Sequence, residues 1–219
     1  MSVRQIPHDV ARPFVCRWHY SGIYPSAKNI SFGCFAHYNS TSKQQDLFDG
    51  SLYAVATYGA GVNPHQGRFL SNLLSCAIHN KDVIELRRLC RVEPIIEGVN
   101  LTWFIARCHQ HIKRYGYKLV VSFSDPAYGH SGGIYKAANF THAGHTNSEW
   151  HVVDKDGKQR HRRVAYRHAK AHGISIGEAR ERLGLKRIRT VPKDRWLIAL
   201  DRKTRKHLTQ FSVARKATA

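Results

Sequence analysis

The sequence predicts an α/β (α+β) fold with a basic C-terminal appendage. Strand-like apolar runs alternate with segments of helical periodicity in the first two thirds of the chain. The charge balance then changes: residues 1–150 carry 15 basic and 9 acidic side chains, whereas residues 151–219 carry 20 and 6. We therefore expect a core over 1–150 and an extension over 151–219 that packs on it and contacts nucleic acid.

The core elements follow from the spacing of apolar residues. Runs rich in Val, Ile, Leu and aromatic residues predict strands, and apolar residues three and four apart predict helices. Their alternation implies at least one right-handed crossover between parallel strands. The predicted strands are Leu52–Tyr58, Val83–Val92, Leu119–Ser124 and one starting at Phe140–Gly144, and the predicted helices are Gln66–Ile78, Leu101–Arg114 and Ile134–Asn139.

The appendage has fewer regular signals. The turn D-K-D-G inside His151–Arg163 predicts a hairpin, and Ser175 before Glu178 predicts a capped helix over Ser175–Leu183. Trp196–Leu200 is expected to be the last strand. The final residues of the chain are expected to fray.

The net charge of +20 points to a polyanionic partner. Nucleic acid is favoured over a membrane surface, because no stretch has the pattern of a membrane helix or of an amphipathic anchor. Five scattered cysteines without a C-x-x-C pair argue against disulfides and structural zinc. These features predict a reduced, cytoplasmic setting.

Two short clusters carry groups capable of acid–base chemistry. R-W-H-Y-S-G at Arg17–Gly22 contains His19, which is equally compatible with a functional role and with a satisfied histidine at a strand end. Glu85 interrupts an apolar strand. It is either a general base or, as we favour, the partner of a neighbouring arginine.

The densest cluster is S-F-S-D-P-A-Y-G-H-S-G-G-I-Y-K-A-A-N-F, over Ser122–Phe140. It places Ser124 and Asp125 at the carboxyl end of a buried strand, where open α/β sheets bind ligands. Tyr135 follows in the first turn of a short helix, whose free amides suit an anion or an oxyanion. The residues expected to approach a donor closely are Gly129, His130, Gly132 and Gly133.

The basic run Lys155–His172 is expected to contact nucleic acid, because its cations are interleaved with Tyr166 and histidines. The expected phosphate contacts are Lys158, Arg160, Arg162, Arg163, Arg167 and Lys170.

The segment I-Y-K-A-A-N-F-x-x-x-G resembles the Y-x-x-x-G-F segment of GNAT acyltransferases, and the preceding strand–helix–strand order is similar to that fold. The resemblance implies a GNAT-like mixed central sheet flanked by helices. One departure concerns the donor: V-E-P-I-I-E-G-V-N replaces the glycine-rich loop that binds the CoA pyrophosphate. Acetyl-CoA is therefore the less expected donor.

The chain more closely resembles the Mom family of phage antirestriction proteins. W-H-Y-S, E-L-x-R-L-C and S-x-S-D-P-x-x-G-H-x-G-x-I-Y-x-A-x-N-F carry the resemblance over about residues 17–144, with a weaker similarity at V-P-K-D-R-W-L. It implies conversion of adenine in DNA to its carbamoylmethyl (glycinamide) derivative on the exocyclic amine, which protects phage DNA from host restriction. It also implies catalytic roles for Asp125, Tyr135, His19 and Ser124.

Several alternatives stay open at this point. The donor is expected to be glycyl-tRNA, and an iron ion held by His19, Asp125 and Tyr135 is another route. A flipped adenine would stack on Trp18, Tyr20 or Phe140. The competing functions are a non-catalytic DNA-binding protein that shields sites by occupancy and a CoA-dependent acetyltransferase.

Overall fold

The computed structural model describes residues 1–26, 28–36, 51–61, 63–92, 100–157, 159–160 and 163–217. The described elements are, in chain order, β1 (Ser2–Ile6), α1 (His8–Trp18), β2 (Asn29–Ala36), β3 (Ser51–Gly59), α2 (Gln66–Leu74), β4 (Val83–Arg91), α3 (Leu101–Arg114), β5 (Leu119–Ser124), α4 (Gly133–Ala137), β6 (Thr141–His145), β7 (Trp150–Val153), β8 (Gln159–Arg160), α5 (Arg163–His172), α6 (Ile176–Arg182), β9 (Lys186–Arg189), β10 (Asp194–Ala199) and α7 (Arg202–Ala217). Short 3₁₀ turns at Asn80–Asp82 and Pro126–Tyr128 precede β4 and follow β5.

Seven strands form one mixed sheet in the order β1-β2-β3-β4-β5-β10-β6. Neighbours from β1 to β4 are antiparallel, whereas β4 and β5 are parallel and are connected through α3. A parallel pair needs a crossover of this kind, because a tight turn can join only antiparallel strands. The mixed central sheet flanked by helices is therefore confirmed.

The helices bury apolar side chains on both faces of the sheet. On β5, Val120 belongs to the cluster that contains Phe104 of α3, whereas Leu119 belongs to the cluster that contains Leu70 of α2 and Leu208 of α7. Successive strand residues point to opposite faces, so these clusters lie on opposite sides of the sheet. Each such side chain, fully buried, contributes roughly 1.5–3 kcal/mol to folding.

The elements of the central core match their predicted bounds to within a few residues, and α3 and β5 match fully. The helix predicted to run to Ile78 instead ends at Leu74, because Ser75 takes a left-handed conformation with φ of 50°. The prediction of a frayed C-terminus is wrong, because those residues form α7, which buries Leu208. β1, α1, β2, α5 and β9 were not predicted.

The chain divides into two compact units that are discontinuous in sequence. Unit 1 comprises residues 1–123, 132–143 and 195–219, and unit 2 comprises residues 124–131 and 144–194. This division differs from the expected boundary at residue 150. The last strand and helix group with the core because β10 pairs with β5 and because α7 buries Leu208 in the core cluster.

Unit 2 contains a three-stranded antiparallel sheet in the order β8-β7-β9, together with α5 and α6. β7 and β8 form a hairpin around Asp154–Gly157, where the D-K-D-G turn predicted one. The Ser175 hydroxyl accepts the Glu178 amide at 3.1 Å and caps α6. No helix in the described ranges is long and apolar enough to span a membrane.

Candidate active site

The two parallel strands at the centre of the sheet stop pairing before either strand ends. Their backbone ladder covers Val83–Leu119, Ile84–Val120 and Glu85–Val121. Beyond these pairs, β4 continues to Arg91 and β5 to Ser124. In open α/β sheets, ligands bind at the carboxyl ends of such strands. This opening is therefore the candidate ligand-binding position of unit 1.

Ser122 and Tyr135 meet immediately past the last backbone pair. The Ser122 hydroxyl lies 2.9 Å from the Leu86 carbonyl oxygen and 2.8 Å from the Tyr135 hydroxyl. Ser122 is fully buried. Its single proton can go to the Leu86 carbonyl, in which case Tyr135 donates to the serine oxygen, or to the tyrosine oxygen. When Ser122 donates to Tyr135, the phenol proton is left for another acceptor.

The environment of Tyr135 favours its neutral form. Burial is the main cause that raises the pKa of the Tyr135 hydroxyl, the Ser122 hydrogen bond lowers it, and Tyr20 and Glu85 raise it. The ring stacks on Trp196 with centroids 5.8 Å apart and meets Phe140 edge-on at 5.3 Å. A phenol held in this way stays protonated at neutral pH and can donate a hydrogen bond.

Glu85 and Tyr20 both interact electrostatically with Arg88. Burial lowers the pKa of the Arg88 guanidinium, while Tyr20 and Glu85 raise it. This attraction agrees with the interpretation of Glu85 as the partner of an arginine. The Arg88 Nε also donates to the Ile23 carbonyl at 2.9 Å, which fixes the guanidinium beside the segment after α1.

The W-H-Y-S segment follows the end of α1. His19 Nδ1 lies 2.8 Å from the Ser21 hydroxyl, and the imidazole contacts the Tyr20 ring in a tilted arrangement with centroids 4.3 Å apart. Among the side chains expected to stack on a base, Phe140 is buried in the core, whereas Tyr20 is 49% exposed. Tyr20 is therefore the better placed of these two for stacking.

Ser124 and Asp125 lie in unit 2, where each has an ionic neighbour. The Ser124 hydroxyl donates to Asp194 at 3.3 Å, and His145 Nδ1 lies 2.8 Å from the other oxygen of Asp194. Asp125 pairs with Lys193 at 2.9 Å and accepts the Ala127 amide at 3.2 Å. Both residues are buried, so Asp125 is a fixed, charge-compensated carboxylate. Sequence reasoning missed Ser122, Lys193 and Asp194.

The glycines of the loop have different structural roles. Gly129 and Gly132 both have φ of 74°, which favours glycine. A Cβ on Gly129 would meet nothing within 4 Å, whereas one on Gly132 would overlap the Trp196 indole. Gly132 thus serves packing, while Gly129 keeps open space as a donor-binding residue would. Gly133 begins α4, and His130 is half-buried.

The basic run of unit 2 is in part an exposed helix face. Arg163, Tyr166, Arg167 and Lys170 follow helical spacing on α5 and are exposed, opposite the buried Ala165 and Ala169. Arg160 differs from this expectation, because its guanidinium pairs with Asp154 at 2.8 Å. Lys158, Arg162 and residues 93–99 lie outside the described residues.

An iron site at His19, Asp125 and Tyr135 does not fit the contacts of these residues. The Asp125 carboxylate is held by Lys193 and a backbone amide, and the Tyr135 phenol by Ser122. A ligand set for a transition metal needs donor atoms that are free to converge on the ion. We derive no step through iron.

Several solved structures similar to the chain are acetyltransferases. A spermidine N-acetyltransferase from Vibrio cholerae has 8% identity and a TM-score of 0.50 over 91% of this chain and 95% of that chain. An N-acetyltransferase from Staphylococcus aureus has 12% identity and a TM-score of 0.46 over 91% and 98%. A GNAT family acetyltransferase from Elizabethkingia anophelis with acetyl-CoA bound has 10% identity and a TM-score of 0.40 over 90% and 97%.

At these identities the first match shows the fold alone, which is that of the GNAT acyltransferases. No curated protein matches the chain in sequence. The family model described as the Mom protein family matches residues 1–217, nearly the whole chain. Fold and family together support a transferase. The chain belongs to the Mom protein family.

Proposed function

We propose that the protein transfers a glycine-derived group to the exocyclic amine of adenine in DNA and so forms the carbamoylmethyl derivative. The observation that carries the proposal is the half-buried Tyr135, whose hydroxyl is hydrogen-bonded to Ser122 where β4 and β5 separate, in a chain of the Mom family. Such a product protects phage DNA from host restriction nucleases. The proposed binding partner is therefore DNA, which contains the adenine that is modified.

Tyr135 donates a hydrogen bond to the acyl oxygen as negative charge develops on it. The pKa raised by burial keeps the phenol protonated, and Ser122 holds the hydroxyl in place. One such donor typically contributes about 10²–10³ in kcat. Asp125 and His19 are the proposed proton acceptors. Tyr20 is the exposed aromatic ring proposed to stack on the extruded adenine.

Glycyl-tRNA is the proposed donor, because a carbamoylmethyl group is an isomer of a glycyl group. The adenine amine attacks the glycyl ester, and the tRNA hydroxyl leaves with a proton. The glycine amine then attacks the ring carbon, whose bond to the original exocyclic nitrogen breaks. That nitrogen ends as the carboxamide, so atoms and charge balance without an oxidant. The sequence at residues 93–99 contains one glycine, Gly98, and so lacks most of the glycines of a CoA loop.

The exposed face of α5 is the proposed contact for nucleic-acid phosphates. Arg167 and Lys170 have no carboxylate partner within the part of the chain that the structure describes. Their charge is therefore available to a polyanion. Binding of this kind weakens steeply with salt and is largely independent of sequence.

Nucleoside mass spectrometry tests the proposed function. The protein is expressed in a bacterial host beside an Asp125→Asn variant, and the host DNA is digested to nucleosides. We expect a deoxyadenosine heavier by a glycinamide-sized increment, absent in the variant. With purified components, label from glycyl-tRNA should enter the same nucleoside.

Other outcomes would contradict specific parts of the proposal. An acetyl-sized increment would make the protein a CoA-dependent acetyltransferase and overturn the glycyl donor. Unmodified adenine with intact DNA binding would favour a shielding protein and remove the catalytic roles of Asp125 and Tyr135.

A further inference from the structure

One face of the three-stranded sheet in unit 2 carries an aromatic ring between two arginines. Trp150 on β7 lies directly opposite Arg189 on β9, and Arg187 is two residues from Arg189. Cross-strand partners and residues two apart share a face of the sheet. All three side chains are exposed, and Trp150 keeps 46% of its surface accessible.

Trp150 holds the two guanidinium groups in place. The Arg187 Cζ lies 4.3 Å and the Arg189 Cζ 5.6 Å from the indole centroid, both within cation–π range. An arginine that stacks on a ring loses less side-chain entropy on binding a ligand than one that moves freely. The sheet thus presents two pre-positioned positive charges.

These charges differ from those of other arginines in unit 2. Arg160 pairs with Asp154 at 2.8 Å, and Arg182 pairs with Glu178 at 2.8 Å. Neither Arg187 nor Arg189 has a carboxylate partner in the ranges that the structure describes. Two uncompensated guanidinium groups on one sheet face suit phosphate oxygens, which they can bind with paired N–H donors.

We propose that the sheet face formed by Trp150, Arg187 and Arg189 binds the phosphodiester backbone of duplex DNA, with Arg187 and Arg189 as phosphate ligands and Trp150 as their positioning residue. Consecutive same-face residues on a strand are about 6.6 Å apart, so the two arginines reach separate phosphates. The choice of DNA over RNA rests on the proposed function. The proposal of a phosphate-binding surface rests on the cation–π contacts with Trp150 and on the absence of carboxylate partners for Arg187 and Arg189 among the described residues.

Salt-dependent binding of the purified full-length protein to a labelled duplex tests the proposal. The informative variants are Arg187→Gln and Arg189→Gln, and the matched control is Arg160→Gln. The control removes the same charge from the same sheet but from a guanidinium already paired with Asp154. Each informative variant should lower the slope of log K against log salt by about 0.9 and weaken binding severalfold, with the control within twofold of wild type.

Substitutions of the tryptophan separate positioning from folding. Trp150→Phe should retain near-wild-type affinity, whereas Trp150→Leu should weaken binding by about two- to fivefold, the range expected for one exposed cation–π contact. Equal slopes for Arg187→Gln, Arg189→Gln and Arg160→Gln would overturn the proposal. Losses confined to a structured RNA, with duplex binding unchanged, would overturn it as well.

The outcome is distinguishable from failure of the proposed function. A protein that binds duplex DNA through this sheet but leaves host adenine unmodified would support the surface and refute the proposed reaction. A protein that modifies adenine, with binding unaffected by the arginine variants, would refute the surface and support the reaction.

Discussion

The indole of Trp196 occupies the space beside Gly132 in which any other residue would place its Cβ atom. The same ring stacks on Tyr135, with centroids 5.8 Å apart and planes 25° from parallel. Trp196 is 2% exposed and has little room to move. Packing at Gly132 therefore controls the position of the tyrosine that we place in the active site.

Gly132→Ala should destabilise the protein and reduce transfer activity. A left-handed alanine costs roughly 1–2 kcal/mol, and overpacking against Trp196 adds roughly 1–3 kcal/mol. Gly129→Ala is the matched control, because it has the same φ of 74° with no atom within 4 Å of its Cβ. Urea unfolding measures both. Equal losses would contradict the role of Trp196.

Ser122→Ala should move the pH dependence of transfer rather than only its rate. The Ser122 hydrogen bond lowers the pKa of Tyr135, so its loss raises that pKa further. A tyrosine that acts as a neutral donor loses activity when it ionises, so the alkaline limit of kcat/KM should shift to higher pH. An unchanged alkaline limit would mean that Tyr135 does not set it.

The stability of unit 1 should depend on pH through His109. Burial lowers the pKa of this imidazole to about 4, and its Nε2 has no partner among the described residues. The unfolded chain binds a proton near pH 6.5, so stability is full above that pH and is lost as pH falls towards 4. Between pH 7 and 5 the loss should be about 2 kcal/mol.

His109→Phe removes the titrating imidazole and tests whether His109 causes the pH dependence of stability. The ring already packs against Phe140 and Tyr58, so an aromatic replacement suits the site. Denaturant unfolding at pH 7 and pH 5 should give the variant a smaller stability difference than wild type. The same difference in both proteins would show that other groups cause the acid sensitivity.

Asp82 should contribute more to stability than its ion-pair partner does. Its carboxylate is buried and accepts the His79 amide at 2.9 Å, besides pairing with Lys118 at 3.0 Å. Asp82→Ala leaves the His79 amide without its hydrogen-bond acceptor and should lower the free energy of unfolding by about 2 kcal/mol. Lys118→Ala should cost below about 1 kcal/mol, because the lysine is 47% exposed and screened. Equal costs by urea unfolding would contradict this ranking.

The central fold could be predicted because its strands and α3 have long apolar patterns, as in Leu119–Ser124. α1 could not, since only Ala11 and Val15 of this helix are buried and since it contains Pro13, a residue type that usually ends a helix. α7 had a usable signal: Thr204, Leu208 and Phe211 follow helical spacing and pack inward.

The site was predictable in residue types but not in contacts. The cluster indicated Tyr135, yet its partner Ser122 lies inside an apolar strand and is found only when α4 folds back over β5. The basic residues also differ in their contacts. In the hairpin Arg160 forms an ion pair with Asp154, whereas Arg187 and Arg189 contact the Trp150 ring. The sequence shows how many charged residues there are, whereas the fold determines which of them form ion pairs.

The most direct measurement compares wild type with Tyr135→Phe in the nucleoside assay of host DNA. Phenylalanine keeps the stacking on Trp196 and removes only the hydroxyl bonded to Ser122. We expect modified deoxyadenosine to fall by about 100-fold or more, while folding and DNA binding stay at wild-type levels. Wild-type amounts of modified deoxyadenosine in the variant would contradict the placement of the reacting centre at Tyr135.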